Sequence, residues 1–241
     1  MESGTKLSKN GEGDHVDANK YRSLIESLRY LTNTRPNLML NIGVTSHFME
    51  ESRYSHWKEL KRILRYVKGT MSIRLWYTKS DNYRLSKYLD NDWCGDVNDR
   101  NSTVCYVFIV GDTTFTWLSR KQPIVALPTC EAEYVATSWS VLHAIWLRNI
   151  LKNFEIMQEE NVLIRLDNRL TIDLAKNPIN HERSKHVDVR FHFIQKKMKK
   201  GSVKLEHVKS KKQISDIFTK ALPTTSFQKL RKLIGMKEEK I

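Results

Sequence analysis

Four acidic residues fall where they could act together. Asp90 ends an expected strand, Glu133 lies in the first turns of an expected long helix, Asp167 ends another strand, and Asp216 lies in an expected final helix. Strand ends and helix starts along one edge of an α/β sheet converge in space, and such folds place their sites there. Carboxylates gathered that closely repel one another and need cations to neutralise them. An all-oxygen ligand set suits Mg²⁺. Two such ions ~3.5–4 Å apart can activate a water and stabilise the leaving oxygen of an in-line phosphodiester displacement. Each carboxylate also has a plain reading. Glu131 and Glu133 favour a helix dipole, Asp167-Asn168 can cap the next helix, and Asp216 can be a solvated helix residue.

The elements that must position these groups follow from spacing. Residues 1–19 are polar and small and read as a flexible leader. Residues 20–80 read as helical, with a helix from Tyr21 to Leu31 and a break at Arg35-Pro36. A second helix could open at Pro36 or Asn37, and the more regular stretch from Ser55 to Val67 carries an apolar stripe of Trp57, Leu60, Leu64 and Val67. Its basic residues Lys58, Lys61, Arg62, Arg65 and Lys68 lie mostly off that stripe. They form either a phosphate-facing surface or an ordinary solvated one.

From residue 81 the character changes. Strands are expected at Tyr83–Asp90, Thr103–Val110 and Thr114–Leu118, with a turn at Gly111-Asp112. A helix follows from about Thr129 to Phe154, with Val135, Trp139, Leu142, Trp146 and Ile150 as its buried stripe. Next come a strand at Val162–Leu166 and a helix from Asn168 to Asn177. A further helix carries Val187, Phe191, Ile194 and Met198 and closes at Gly201. The last expected elements are a strand at Ser202–Val208 and a helix from Lys212 to Leu222. The meander implies antiparallel pairing and the later crossovers imply parallel pairing. The expected fold is therefore α/β, a mixed five-stranded sheet covered by helices. Residues 81–223 form this unit, and residues 224–241 are a C-terminal tail, read as helical.

Composition sets the partners. The 241 residues carry a net charge of +14, which favours an acidic partner, nucleic acid first. A lysine tract (Lys196, Lys197, Lys199, Lys200, Lys204, Lys209, Lys211, Lys212) is a candidate backbone-binding ridge, salt-sensitive if so. Three cysteines without paired spacing argue against a disulfide framework and suit a reducing, intracellular setting. The polar amino terminus and the lack of a long apolar run point away from secretion and from a membrane. Cys94, Cys105 and Cys130 with His181, His186 and His192 lack zinc-site spacing. The string Tyr88-Leu89-Asp90-Asn91-Asp92 is like a polymerase turn, but only 87 residues precede it, too few for a polymerase.

Five strings, "DNDWCGD" (90–96), "CEAEYVA" (130–136), "LDNRLTIDLAKNP" (166–178), "RSKHVDVRFHFI" (183–194) and "SDIFTKALP" (215–223), resemble the ribonuclease H domain of copia-type retrotransposon polyproteins. Residues 20–38 and 56–70 resemble the segment that joins reverse transcriptase to that domain. The resemblance implies an RNase H-like fold and Mg²⁺-dependent cleavage of the RNA strand of RNA–DNA hybrids, with two ions and no organic cofactor. It carries the quartet onto Asp90, Glu133, Asp167 and Asp216, with Asp188 as a rival fourth carboxylate, and makes His207 a candidate for assisting product release. It also implies that the rest of a Pol polyprotein is a partner. The order of acids argues against an integrase, which places its glutamate last. Pro128, Asn101, Val104-Cys105 and Glu26 depart from the family pattern. They bear on activity more than on fold, and keep a non-catalytic nucleic-acid-binding remnant as the alternative.

Overall fold

The computed structural model describes residues 4, 7–79, 83–92, 103–121, 129–156, 158, 161–176 and 185–239, with backbone only at 92, 129–135, 185–189 and 191. Three helices come first: α1 (Ala18–Leu31), α2 (Met39–Ser46) and α3 (Tyr54–Lys68), followed by a short strand, β1 (Ile73–Leu75). Then come β2 (Leu85–Asp92), β3 (Thr103–Val110), β4 (Thr113–Lys121), α4 (Thr129–Asn153), β5 (Val162–Leu166), α5 (Arg169–Lys176), α6 (Lys185–Lys199) and β6 (Val203–His207). Two 3₁₀ turns lead to α7 (Thr224–Leu233) and β7 (Met236–Glu238).

The main sheet has the order β4-β3-β2-β5-β6. Its first three strands are an antiparallel meander; β5 pairs parallel to β2, and β6 parallel to β5. This is the mixed five-stranded sheet expected of an RNase H-like fold.

Strand alternation divides the core in two. On β3, Val104, Tyr106, Phe108 and Val110 face a layer built with α4, α5 and α6. Cys105, Val107 and Ile109 face the opposite side, packing with Ile214, Ile217, Phe218, Leu230, Ile234 and Met236. Met39, Ile73 and Leu75 of the amino-terminal segment join that second layer. β1 and β7 pair antiparallel, Trp117 Nε1 donates to the Thr32 carbonyl (3.1 Å), and Arg231 Nη1 donates to Tyr66 Oη (2.9 Å). The first three helices also hold their own cluster around Tyr21, Ile25, Leu38, Leu60 and Ile63. No helix among the described residues is long and apolar enough to cross a membrane.

Three expectations need correction. The stripe of α4 is turned round: Trp139, Leu142 and Trp146 are 61%, 45% and 56% exposed, while Ala136, Val141, Ala144, Leu147 and Leu151 are buried. Apolar residues ring this helix, so its period fits more than one stripe; small residues win the sheet-facing side because they allow close approach. The helix expected at Lys212–Leu222 is instead two 3₁₀ turns, Ser210–Lys212 and Ile214–Phe218. Gln213 between them is extended, with its side chain donating to the Leu89 carbonyl (2.9 Å), and Pro223 begins α7 rather than ending a helix. Part of the expected flexible leader is tied down: Val16 N donates to Ser52 O, and Asp14 O and Glu12 O accept from Tyr54 N and Ser55 N. Backbone hydrogen bonds, which apolar composition does not register, hold it.

Ile234, fully buried where α7 turns into β7, ties the carboxyl terminus to both parts of the chain. Ile234→Ala is expected to cost about 2–5 kcal/mol in urea unfolding. The loss should be one cooperative transition for the whole chain, read equally by tryptophan fluorescence and far-UV dichroism.

Candidate active site

Asp90 lies near the end of β2 and Asp167 directly follows β5, so the parallel β2–β5 pairing sends both toward one sheet edge. Asp216 reaches the same place from the 3₁₀ turn beneath β2. One carboxylate oxygen from each of Asp90, Asp167 and Asp216 lies within 4.8 Å of the other two. Asp90 and Asp216 are buried, at 5% and 9% exposure.

Local interactions explain how each is aimed. Asp90 pairs in register with Cys105, whose thiol donates to the Ser215 carbonyl (3.3 Å) and so anchors the turn that carries Asp216. Asn168 caps α5 by accepting from Leu170 N (2.8 Å), which leaves the Asp167 carboxylate for the cluster. Thr219 Oγ1 donates to Asp90 Oδ2 (2.5 Å). Lys220 Nζ reaches Asp216 Oδ1 at 2.9 Å and Asp90 Oδ2 at 3.2 Å.

The electrostatics record crowding. Burial, and then the charge of Asp90, raises the Asp167 carboxyl. Asp216 is pushed up to about 6, mainly by burial, with Lys220 opposing and Asp90 adding to the rise. Burial works against the Lys220 ammonium, but Asp90 and Asp216 outweigh it and raise its affinity for the proton. These directions are compatible, because one ammonium faces three carboxylates.

The open cleft over the cluster is lined by Asp90, Asn91, Asp167, Asn168, Arg169, Leu170, His207 and Lys220. His207 therefore stands at the site, opposite Leu166 in the sheet register. Ala136 and Thr137 of α4 line a small adjoining pocket with Asp90 and Asp167. They follow Glu133 by about one turn; the side chain of Glu133 lies outside the described ones, as does that of Asp188. Lys209, Lys211 and Lys212 follow β6 on the carboxylate edge. Lys196, Lys197 and Lys200 sit where α6 turns into β6, toward the opposite edge, and Arg62 and Arg65 are on α3.

Thr219 and Lys220 were absent from the sequence-derived site. Their signal was the four-residue step from Asp216 to Lys220, which places them on one side of a helical turn. Three oxygen donors at this spacing fit a hard divalent cation. The Asn91 side chain next to Asp90 has buried nitrogen and oxygen atoms without hydrogen-bond partners among the described residues, so unsatisfied polar groups line the same place. Asp90, Asp167 and Asp216 are the residues that could hold the ion.

A mixed sheet of this order, with clustered carboxylates at the ends of β2 and β5, is the α/β arrangement that the resemblance implies. Over most of its length the chain is homologous to retrovirus-related Pol polyproteins of plant copia-type transposons. It is 36% identical over 217 residues to the Pol polyprotein from transposon TNT 1-94 of Nicotiana tabacum, covering 90% of this chain and 16% of that protein. It is 33% identical over 236 residues to the Pol polyprotein from transposon RE2 of Arabidopsis thaliana, covering 98% of this chain and 16% of that one. The chain thus spans 16% of the length of each of these two curated relatives. Among solved structures it is similar to LC11-RNase H1 isolated from compost, with a TM-score of 0.43 and 16% identity, over 61% of this chain and 97% of that one. No protein-family model matches.

The raised Asp216 carboxyl has a defined effect on stability. With a folded value of about 6 against an ordinary value near 4, the folded state holds the proton more tightly than the unfolded state. Stability from this group is present below pH ~4 and is lost as pH rises through ~6. Metal-free Asp216→Asn should therefore be more stable than the parent at pH 8, by up to about 3 kcal/mol, and equal to it near pH 4. Urea unfolding in a chelator at the two pH values checks this.

Proposed function

We propose that this chain is the ribonuclease H part of a copia-type Pol polyprotein and hydrolyses the RNA strand of RNA–DNA hybrids. The observation that carries the reading is the convergence of Asp90, Asp167 and Asp216 within 4.8 Å at one edge of the sheet. Glu133, in the first turns of the adjoining helix, completes the quartet in this reading. Together these residues would hold two Mg²⁺ ions, which supply an activated water and neutralise charge on the leaving oxygen.

The protein's own groups do the rest. Carboxylates fixed by Thr219 and by the sheet register orient the ions' ligand oxygens before substrate arrives. Lys209, Lys211 and Lys212, on the site's edge, bind phosphates of the hybrid, with Lys196, Lys197, Lys200, Arg62 and Arg65 as more distant contacts. His207, lining the cleft, assists product release. In this reading residues 20–80 are the connection-like remnant of reverse transcriptase and residues 81–223 the nuclease. The setting is intracellular, no organic cofactor takes part, and the remaining Pol polyprotein is the natural partner.

The test is cleavage of a strand-labelled RNA–DNA hybrid with Mg²⁺ at several salt concentrations. The parent should cut the RNA strand alone. Asp167→Asn should lose activity by roughly 10²–10³-fold, the scale of removing one electrostatic contact to a transition state, while still binding hybrid with a steep salt dependence. Equal binding by both proteins, with neither cutting, would identify a catalytically decayed nucleic-acid-binding remnant instead.

A further inference from the structure

We propose that the Lys220 ammonium is a built-in counter-ion of the carboxylate cluster, which an entering metal must displace. This inference rests on the metal-site reading above. Lys220 Nζ stands between Asp216 Oδ1 (2.9 Å) and Asp90 Oδ2 (3.2 Å), on two of the three carboxylates that the reading above gives to the metal. An oxygen that accepts from an ammonium has less charge and one lone pair fewer to give a metal, and two cations so close repel each other. Occupancy by one therefore weakens binding of the other.

The neighbouring contacts divide the labour. Thr219 is buried and holds Asp90 by a short hydrogen bond, so Asp90 keeps its position whichever cation is present. The Lys220 backbone is likewise fixed, its N–H donating to the Asp216 carbonyl (3.0 Å). Its side chain, in contrast, is 41% exposed, against 4% for Asp90 and 12% for Asp216. The ammonium can leave for solvent along the cleft without any element of the fold moving. Lys220 thus spares the metal-free protein part of the repulsion among the buried carboxylates, and weakens metal binding by the same interaction. Such coupling is reciprocal: whatever the ammonium contributes to the empty site, the metal must replace.

The experiment compares the parent, Lys220→Met, Lys220→Arg and Asp167→Asn, using Mn²⁺ alone as the probe. Calorimetric titration and the electron paramagnetic resonance signal of free Mn²⁺ report binding. Lys220→Met should bind Mn²⁺ about tenfold or more tightly than the parent, a gain of at least about 1.4 kcal/mol. It should also melt lower without metal and recover when saturated. Lys220→Arg should stay near the parent. In the parent, Mn²⁺ should speed acylation of the Lys220 amine, read by mass spectrometry; this arm needs no variant and stands even if Lys220→Met does not fold. If Asp167→Asn abolishes Mn²⁺ binding but Lys220→Met binds no tighter than the parent, or metal leaves amine acylation unchanged, the counter-ion role is wrong and the metal site survives. If the parent and Asp167→Asn bind Mn²⁺ alike, the metal-site reading fails and this proposal falls with it.

Discussion

Like charges brought into a partly buried space set the terms for this structure. Asp90, Asp167 and Asp216 would drift apart in an unfolded chain, and burial makes their charges more costly still. Besides the Thr219 and Lys220 contacts, the fold holds them by means that do not depend on the carboxylates themselves. Parallel pairing fixes β5 against β2, and with it Asp167 against Asp90. The Cys105 thiol, the Gln213 amide and the burial of Ile214, Ile217 and Phe218 fix the turn bearing Asp216. Hydrophobic burial and register thus supply a geometry that electrostatics alone would reject. That is the condition under which a site binds cations strongly.

The same view bears on the departures from the family pattern. Glu26 lies on the exposed side of α1, where a charged residue is solvated. Cys105 is fully buried, and its thiol has a partner on the Asp216 turn, so it takes part in the site's support. Pro128 and Asn101 lie outside the described residues.

Much of this was legible in the residues, for identifiable reasons. The runs 103–110 and 162–166 are β-branched and bounded by turn or polar residues, and both strands occupy those spans. Asp90 and Asp167 could be found because a carboxylate at a strand end in an α/β pattern has a defined direction. The errors have equally definite causes. The α4 stripe was ambiguous because apolar side chains surround the helix. The 3₁₀ turns at 210–218 depend on the Gln213 contact with Leu89, far away in sequence. Nothing local marks Lys87 as fully buried, yet its ammonium lies 4.2 and 4.4 Å from the ring centroids of Tyr106 and Phe108, and burial holds it well below its ordinary value. Those rings become its neighbours only through strand register. Lys220 was missed because a lysine in a basic chain attracts no notice until its two carboxylate partners are located.

The sequence reading divides the chain near residue 80, whereas packing runs across that point. Met39, Ile73 and Leu75 belong to the same apolar layer as Cys105, Val107 and Phe218, and β7 returns from the carboxyl end to pair with β1. A chain begun at residue 81 would expose that layer and leave β7 an unpaired edge, an invitation to non-native pairing. It would also remove apolar cover from beside the turn that carries Asp216, since Ile214, Ile217 and Phe218 lie in the same layer. The amino-terminal helices are therefore part of what holds the site's geometry. The physical unit that positions the carboxylates begins well before the segment that contributes them.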